Sequence, residues 1–215
     1  MSRSRLETSF LTVAGLLAWA GVLIQLWVST RLFGNPLTAS WRLLGYFTIL
    51  TNVIVAVFFT ARLLHREGPA NHWARSDSFA TWVTVSITFV GLGFIVLLAR
   101  LYHFEGIEWL TNALLHYVTP TLGLLYWLLF VRPASLRWKD PMIWSVYVLA
   151  YGIYSMARGA VDGFYPYPFV DLPKIGWARV SINMIGLYIA FCLFGALFVA
   201  IGRWWPCDAR AQSTK

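Results

Sequence analysis

The chain has 215 residues, of which 59% are hydrophobic and 12% are charged. Soluble domains carry about 25% charged and about 45–50% apolar residues, so this composition excludes an ordinary soluble domain. The net charge of +8 does not indicate a nucleic-acid partner, because the basic residues stand at the ends of apolar segments. There they set the membrane topology and meet lipid headgroups.

Six apolar segments follow one another along the chain, and each is long enough to cross a membrane. A helix needs about 20 mainly apolar residues to span about 30 Å of hydrocarbon. The segments are about 9–29, 43–64, 79–99, 110–131, 141–158 and 179–202. We predict an all-α fold, a polytopic bundle of six transmembrane helices in a single domain over residues 1–215. The first segment resembles a signal peptide, but its apolar run continues to Val28, which indicates an uncleaved span.

The positive charges predict the orientation of this bundle. With the N-terminus in the cytoplasm, the inner segments hold eleven basic residues: Arg3, Arg5, Arg62, Arg66, Arg75, Arg132, Arg137, Lys139, Arg203, Arg210 and Lys215. The outer segments hold six: Arg31, Arg42, Arg100, Arg158, Lys174 and Arg179. Because cytoplasmic loops carry an excess of positive charge, we expect both termini in the cytoplasm.

Polar side chains recur at helical spacing inside four of the spans. They are Thr48, Thr51 and Asn52 in the second, Asn112, His116 and Thr119 in the fourth, Tyr147, Tyr151, Tyr154 and Arg158 in the fifth, and Arg179 and Asn183 in the sixth. Polar groups avoid hydrocarbon, so we expect these stripes to face one another. The sequence therefore predicts one polar pocket in the outer half of the bundle.

His116 is the one histidine inside a span, where a charge costs roughly 2.5 kcal/mol or more. A neutral imidazole within about 2.6–3.2 Å of a hydroxyl can take its proton. Thr51 and His116 would thus suffice for acyl transfer through an acyl-enzyme. Candidates for substrate binding or for stabilising the oxyanion are Asn52, Asn112, Tyr154, Arg158, Tyr165, Tyr167 and Asn183.

Each of these residues also has a structural interpretation, which stays open at this point. Threonines in membrane helices commonly bond to the carbonyl four residues back, and asparagine or histidine can hold two helices together. Tyrosines can pack with satisfied hydroxyls, and arginines can reach the interface. The polar cluster would then be a structural core, or part of a non-enzymatic protein that binds or transports lipids or small solutes.

No cofactor and no metal site is expected from the sequence. A transmembrane haem needs paired histidines at span depth, and zinc needs three or four ligands. The spans supply one histidine and no acidic residue, and the chain has two cysteines, Cys192 and Cys207. These counts favour catalysis or binding by the side chains alone.

Three motifs resemble the androgen-induced protein family. They are Gly45-Tyr46-Phe47-Thr48-Ile49-Leu50-Thr51-Asn52, then Asn112-x-x-x-His116-x-x-x-Pro120, then Arg158-Gly159 with Tyr165-Pro166-Tyr167-Pro168-Phe169-x-Asp171. That family includes the androgen-dependent TFPI-regulating protein and bacterial six-span homologues, and the likeness covers about residues 10–200. The segment Tyr165-Pro166-Tyr167-Pro168-Phe169, called the YPYPF segment below, is characteristic of the bacterial branch.

The resemblance implies a membrane-embedded threonine hydrolase of lipids. The animal members cleave fatty acid esters of hydroxy fatty acids and depend on one threonine and one histidine, which correspond here to Thr51 as nucleophile and His116 as general base and acid. It also implies membrane lipids as surroundings, a lipid ester as substrate and the bacterial inner membrane as location. The YPYPF segment is expected to be stiff and extended, since proline fixes φ and restricts the residue before it. It would form either a lid or a plain connector.

Overall fold

The computed structural model describes residues 3–64, 72–131 and 136–204. Within these ranges the chain forms helices and loops and no β-strand, which confirms the all-α prediction. The helices are α1 (Arg3–Phe33), α2 (Pro36–Leu43), α3 (Phe47–Leu64), α4 (His72–Arg75), α5 (Asp77–Gly93), α6 (Gly106–Ala113), α7 (Thr119–Phe130), α8 (Asp140–Trp144), α9 (Val146–Asp162) and α10 (Leu172–Trp204). Arg66, Arg132, Cys207, Arg210 and Lys215, and with them the predicted cytoplasmic C-terminus, lie outside the described residues.

Five helical stretches of the described chain are long and apolar enough to cross a membrane. They are Arg5–Phe33, Phe47–Leu64, Asp77–Leu98, Gly106–Phe130 and Leu172–Trp204. The remaining predicted span, about 141–158, is divided at Ser145 between α8 and the 17-residue α9. At 1.5 Å per residue α9 alone reaches about 25 Å, which falls short of a span of about 30 Å.

Helix α2 was not predicted, and it explains why the second span begins at Phe47 rather than near residue 43. Asn35 caps α2, since its Oδ1 accepts hydrogen bonds from Leu37 N at 2.7 Å and Thr38 N at 3.4 Å. The short turn at residues 44–46 then reverses the chain into α3. Helix α2 thus connects α1 to α3 at one end of the bundle, and its residues Arg42 and Leu43 line the cavity described below.

Two helices contain a widened π-helical turn, at Phe94–Leu98 and at Leu114–Val118. The second has a clear cause in the sequence. Pro120 has no N–H to donate to the carbonyl of His116, and the Thr119 N–H bonds instead to Leu114 O, five residues back. Gly91 of α5 packs against this turn, because a Cβ at Gly91 would lie 3.0 Å from His116 O.

The half of the bundle away from α2 is filled by aromatic side chains. The Tyr126 ring lies 5.7 Å from Phe58 and 5.6 Å from Phe59, centroid to centroid, and all three are fully buried. At this end the Tyr126 hydroxyl donates to Glu7 Oε1 at 2.9 Å, and Arg62 Nε lies 3.5 Å from the same oxygen. This half is closed, so the room for a ligand lies at the other end.

Candidate functional site

A cavity of about 470 Å³ opens at the α2 end of the bundle. Its wall is formed by α1, α2, the start of α3, the two widened turns, α6 and the loop that precedes α10. Most of the wall is apolar. The polar or hydroxyl-bearing residues in it are Gln25, Ser29, Arg42, Tyr46, Thr48, Tyr102, Glu108, Thr111, Asn112, His116 and Tyr167. The predicted pocket therefore exists as a cavity, but its lining is not the predicted one.

His116 lines the cavity from the second widened turn. Its ring stacks on that of Phe94, with centroids 4.0 Å apart, and its Nδ1 lies 3.3 Å from Asn112 O. A carbonyl oxygen can only accept, so this bond requires the proton on Nδ1. The neutral imidazole then keeps a free lone pair on Nε2, which is the form that a general base needs.

Thr51 is fully buried and is not among the residues that line the cavity. Its hydroxyl donates to Phe47 O at 2.7 Å and lies 2.9 Å from the Tyr147 hydroxyl. A threonine has one hydroxyl proton, so Tyr147 must be the donor in the second bond. Among the described residues no hydrogen bond joins Thr51 to His116. Helices α3 and α9 therefore meet here, as predicted for segments 43–64 and 141–158, with Thr51 in a structural bridge.

Thr48 does line the cavity, one turn before Thr51 on the same helix. The amide of Asn52 holds this part of α3 against the widened turn, because its Nδ2 donates to Thr48 O at 2.9 Å and to Leu115 O at 3.2 Å. Leu115 directly precedes His116. The backbone at Thr48 is therefore fixed beside the backbone at His116, in agreement with the inter-helix role open to Asn52.

Tyr167 of the YPYPF segment contacts the same threonine. Its hydroxyl lies 3.4 Å from Thr48 N, which donates to it. Burial raises the pKa of Tyr167 to about 12, an effect that hydrogen bonding to Thr48 only partly opposes. The hydroxyl is therefore neutral at ordinary pH and can donate a hydrogen bond into the cavity.

Asn112 is the second predicted site residue, besides His116, that the fourth span brings to the cavity wall. Its Oδ1 is buried without a hydrogen-bond partner among the described residues. A buried polar atom without a partner is costly, roughly 1–3 kcal/mol, and such atoms often mark a ligand contact. Asn52 Oδ1 is also unpaired, but Asn52 is fully buried and does not line the cavity.

Besides Thr51 and Asn52, four further predicted candidates do not line the cavity: Tyr154, Arg158, Tyr165 and Asn183. Asn183 Nδ2 donates to Phe169 O at 2.8 Å, and the Tyr154 hydroxyl donates to Leu44 O at 3.1 Å. Tyr165 packs on Gly159, where an added Cβ would lie 2.2 Å from the tyrosine ring. Their contacts hold loops onto helices.

Arg158 is almost fully buried and anchors α2 to α9. Its guanidinium donates to Trp41 O, to the Tyr154 hydroxyl at 3.1 Å and to Asp162 Oδ2 at 3.3 Å, and it stacks on the Trp41 ring at 4.2 Å. Trp41 Nε1 completes the group by donating to Asp162 Oδ2 at 2.8 Å. The predicted interfacial or oxyanion roles give way here to a structural anchor.

The YPYPF segment is extended at Tyr167 (φ −133°, ψ 144°) and then forms one 3₁₀ turn, Pro168–Val170. The extended residue before a proline agrees with the sequence prediction. The Tyr167 ring stacks on Phe169 with centroids 5.1 Å apart, while Pro166 and Tyr167 both line the cavity. The segment therefore forms part of the cavity wall.

A smaller apolar pocket of about 70 Å³ adjoins the cavity. Both spaces are bordered by Thr48, Phe94, Leu98 and Tyr167, and the small pocket continues between α5, α9 and α10. Its other lining residues are Phe47, Phe89, Val90, Gly93, Leu97, Val148, Tyr151, Phe169, Val170, Met184 and Leu187. An elongated apolar ligand thus finds room on both sides of Thr48.

No protein-family model, curated protein or solved structure matches this chain. Over residues 3–64, 72–131 and 136–204, no three His, Cys, Asp or Glu side chains form a group that could hold a metal ion. The cavity wall offers four groups for chemistry: a histidine with a free ring nitrogen, a threonine, an amide with an unpaired oxygen and a neutral tyrosine.

Sequence reasoning missed Thr48 as a site residue, although it recognised the stripe to which Thr48 belongs. Residues three apart on a helix point in directions about 60° apart, so helical spacing alone places Thr48 and Thr51 on the same face. What separates them is Tyr147, which lies on the neighbouring α9 and bonds to Thr51. Arg42 was not among the candidates because it lies at the end of the short helix α2, outside the polar stripes.

Proposed function

We propose that this protein is an intramembrane hydrolase of lipid esters that works in the 470 Å³ cavity, with His116 as general base and Thr48 as nucleophile. The observation that carries the proposal is that both side chains line one largely apolar cavity inside a bundle of membrane-spanning length. An apolar cavity with a few convergent polar groups is the usual form of a small-molecule site.

In the proposed reaction His116 Nε2 takes the proton of the Thr48 hydroxyl while Oγ1 attacks the ester carbonyl carbon. The tetrahedral intermediate then collapses, the alcohol leaves with the proton from His116, and an acyl-threonine remains. Water, deprotonated by the same nitrogen, hydrolyses the acyl-threonine to the carboxylic acid and restores the hydroxyl. Nucleophile and base need to approach to about 2.6–3.2 Å, a bond that apo sites commonly form only with substrate present.

Charge on the oxyanion would be stabilised by donors already in the wall. The Tyr167 hydroxyl is neutral and lies beside Thr48, and the Nδ2 of Asn112, the donor of that amide, can donate from the cavity wall. Thr48 is also the second residue of α3, where the positive end of the helix dipole favours negative charge. One such donor contributes roughly 3 kcal/mol to lowering the barrier in other hydrolases.

The nucleophile in this proposal is Thr48 rather than the Thr51 predicted from sequence. The Thr51 proton is bonded to Phe47 O, and its lone pair accepts from Tyr147, so the hydroxyl is occupied on both sides. Thr48 stands three residues earlier within the motif that resembles the androgen-induced protein family. A shift of three residues keeps the threonine–histidine chemistry that the resemblance implies.

We also propose the substrate class, the number of membrane crossings and the orientation that the sequence implies. The substrate is a fatty acid ester of a hydroxy fatty acid or a similar acyl ester, taken from the surrounding lipids. The chain crosses the bacterial inner membrane six times, with segment 141–158 as the fifth crossing and the start of α1 in the cytoplasm. Support comes from the apolar run of that segment and from the distribution of Lys and Arg. Reporter fusions at the helix ends test this topology.

A fluorophosphonate probe, which reacts with activated hydroxyl nucleophiles, tests the chemistry. We expect wild-type protein in detergent to be labelled on Thr48. Thr48→Val and His116→Gln should abolish labelling, whereas Thr51→Val, the same change one turn along α3, should retain it. Size-exclusion profiles check that each variant is folded. Label on Thr51 would return the nucleophile to that residue, and an unlabelled wild type would contradict hydrolysis.

Binding without catalysis is the second candidate function, and one observation favours it. Among the described residues no carboxylate forms a hydrogen bond or an ion pair with His116, whose ring bonds to Asn112 O and stacks on Phe94. A histidine base usually gains from an acidic partner that stabilises its protonated form. If wild-type protein binds lipid esters but neither reacts with the probe nor hydrolyses them, the cavity serves binding or transport.

A further inference from the structure

The cavity wall contains one positively charged side chain among the described residues, that of Arg42. Arg42 lies in the last turn of α2, and its guanidinium stacks on Phe164 at 4.7 Å from the ring centroid. Within the described chain, it forms no ion pair and no side-chain hydrogen bond. Its five N–H donors are therefore left for water or for a ligand in the cavity.

Arg158, on the neighbouring α9, shows what a structural arginine looks like in this protein. It is buried, and its donors are taken by a backbone carbonyl, a tyrosine hydroxyl and a carboxylate. Both guanidinium groups lie near Phe164, since Arg158 is 5.8 Å from the same ring. The fold gives each of the three nitrogens of Arg158 an acceptor and leaves Arg42, in the cavity wall, without one among the described residues.

The groups around Arg42 are hydrogen-bond donors, so this end of the cavity suits a ligand that carries hydrogen-bond acceptors. Tyr46 also lines the cavity, and its ring packs edge-on against Phe164 at 5.6 Å, so its hydroxyl adds a donor on the Arg42 side. Glu108 is the one carboxylate in the described wall. It stands on α6, is exposed, and lies beyond the 4.0 Å of an ion pair with Arg42. An anion would therefore lie on the α2 side.

We propose that the cavity binds an apolar lipid whose anionic group, a carboxylate or a phosphate, is held by Arg42 at the α2 end. The apolar chain would run past Thr48 and His116 toward the small pocket. A guanidinium suits both anions, because its fork of N–H donors matches two oxygens at once. The inference rests on the cavity being the ligand site of the proposed function, and it does not require hydrolysis.

Equilibrium binding to purified protein in a neutral detergent at mildly alkaline pH tests the proposal. The probes are palmitate, hexadecyl phosphate, hexadecanol and methyl palmitate, which share the chain and differ in charge, together with inorganic phosphate alone. We expect the two anions to bind at least about tenfold more tightly than the two neutral lipids. Whichever anion binds better identifies the headgroup class. Inorganic phosphate alone should not compete, because it lacks the chain.

Arg42→Gln should remove this preference by weakening the anions about tenfold while leaving hexadecanol unchanged. Arg42→Lys, which keeps the charge, should retain part of it. Arg31→Gln is the matched control, because Arg31 also stacks on an aromatic ring, at 5.3 Å from Trp27, but does not line the cavity. It should bind like wild type.

Three results would overturn the proposal: equal binding of charged and neutral lipids by wild type, an equal loss for all probes in Arg42→Gln, or the same change in Arg31→Gln. Its failure is separable from that of the hydrolase. Labelling by the fluorophosphonate reports on Thr48 and His116, while the charge preference is measured with lipids that include non-hydrolysable ones. Either experiment can succeed when the other fails.

Discussion

The imidazole of His116 lies on the ring of Phe94 with 4.0 Å between centroids, and each residue belongs to a widened helical turn. The two turns face each other across the cavity wall, so the position of the imidazole depends on a second helix as well as on its own. Widened turns of this kind occur often at functional sites. Through this stack the widened turn that follows α5 orients His116.

Phe94→Leu tests this dependence. Losing the stack removes about 0.5–1.5 kcal/mol of ring–ring interaction and frees the imidazole to rotate, so we expect labelling by the fluorophosphonate to slow several-fold. Phe198→Leu is the matched control, because Phe198 is equally buried and packs on Trp127 at 4.9 Å, away from the cavity. The midpoint temperature of thermal unfolding should fall by a similar amount in both variants. Equal slowing in both would show that the effect is one of stability.

Gly91 and Gly93 form a natural pair on α5. At Gly91 an added Cβ would lie 3.0 Å from His116 O and 3.0 Å from Pro120 Cβ, atoms that cannot move without shifting the helix, whereas at Gly93 it meets nothing within 4 Å. We expect Gly91→Ala to destabilise by about 1–3 kcal/mol and to reduce labelling. Gly93→Ala should be neutral or stabilise by up to about 1 kcal/mol. Unfolding in denaturant and labelling rates measure both; similar behaviour would contradict the close packing.

Asn52 offers a separation of positioning from stability. Asn52→Leu removes the bonds to Thr48 O and Leu115 O, at a cost of about 1 kcal/mol, but also removes the unpaired Oδ1. The two effects oppose each other, so we expect a change in unfolding free energy below about 1 kcal/mol. Labelling should nevertheless fall, because Thr48 is no longer fixed beside His116. Labelling at the wild-type rate would show that the clamp does not position the site.

The anchor between α2 and α9 should weaken in acid. Burial by itself would raise the pKa of Asp162, but hydrogen bonds from Phe164 N, Trp41 Nε1 and Arg158 outweigh it and hold the pKa below its usual value. A lowered folded-state pKa contributes stability above the unfolded pKa of about 3.9, and that contribution is lost as the pH falls through the folded-state value. Below about pH 4 the midpoint temperature of thermal unfolding should fall more steeply for wild type than for Asp162→Asn. Parallel pH profiles would exclude Asp162 as the cause.

Much of the fold follows from hydrophobic runs of spanning length, and five of the predicted segments correspond to helices that meet this requirement. The remaining segment is cut at Ser145, whose Oγ donates to Pro141 O at 2.7 Å, a local contact that hydropathy cannot show. Helix α2 escaped prediction because eight residues with three charged or polar side chains near a span end resemble a loop.

The site was only partly predictable, for a geometric reason. His116 and Asn112 both line the cavity, since they lie four residues apart in one helical stretch. Which of the two threonines faces the cavity with His116 depends on how α3 is rotated about its axis relative to α9. The spacing of residues along the sequence does not determine that rotation. Pro120 carried a usable signal: a proline four residues after a histidine removes one backbone donor and predicts a widened turn at His116.

The Arg158 anchor also has a genetic consequence. Arg158 donates to Trp41 O, 117 residues earlier in the chain, and through it one side chain fixes the end of α2 that covers the cavity. A substitution of Arg158 would therefore displace Arg42 and Leu43, which follow Trp41 directly, more than it displaces the rest of α9. Second-site mutations that restore such a variant should map to residues 36–43. A suppressor screen is therefore expected to show that α2 and α9 are genetically coupled.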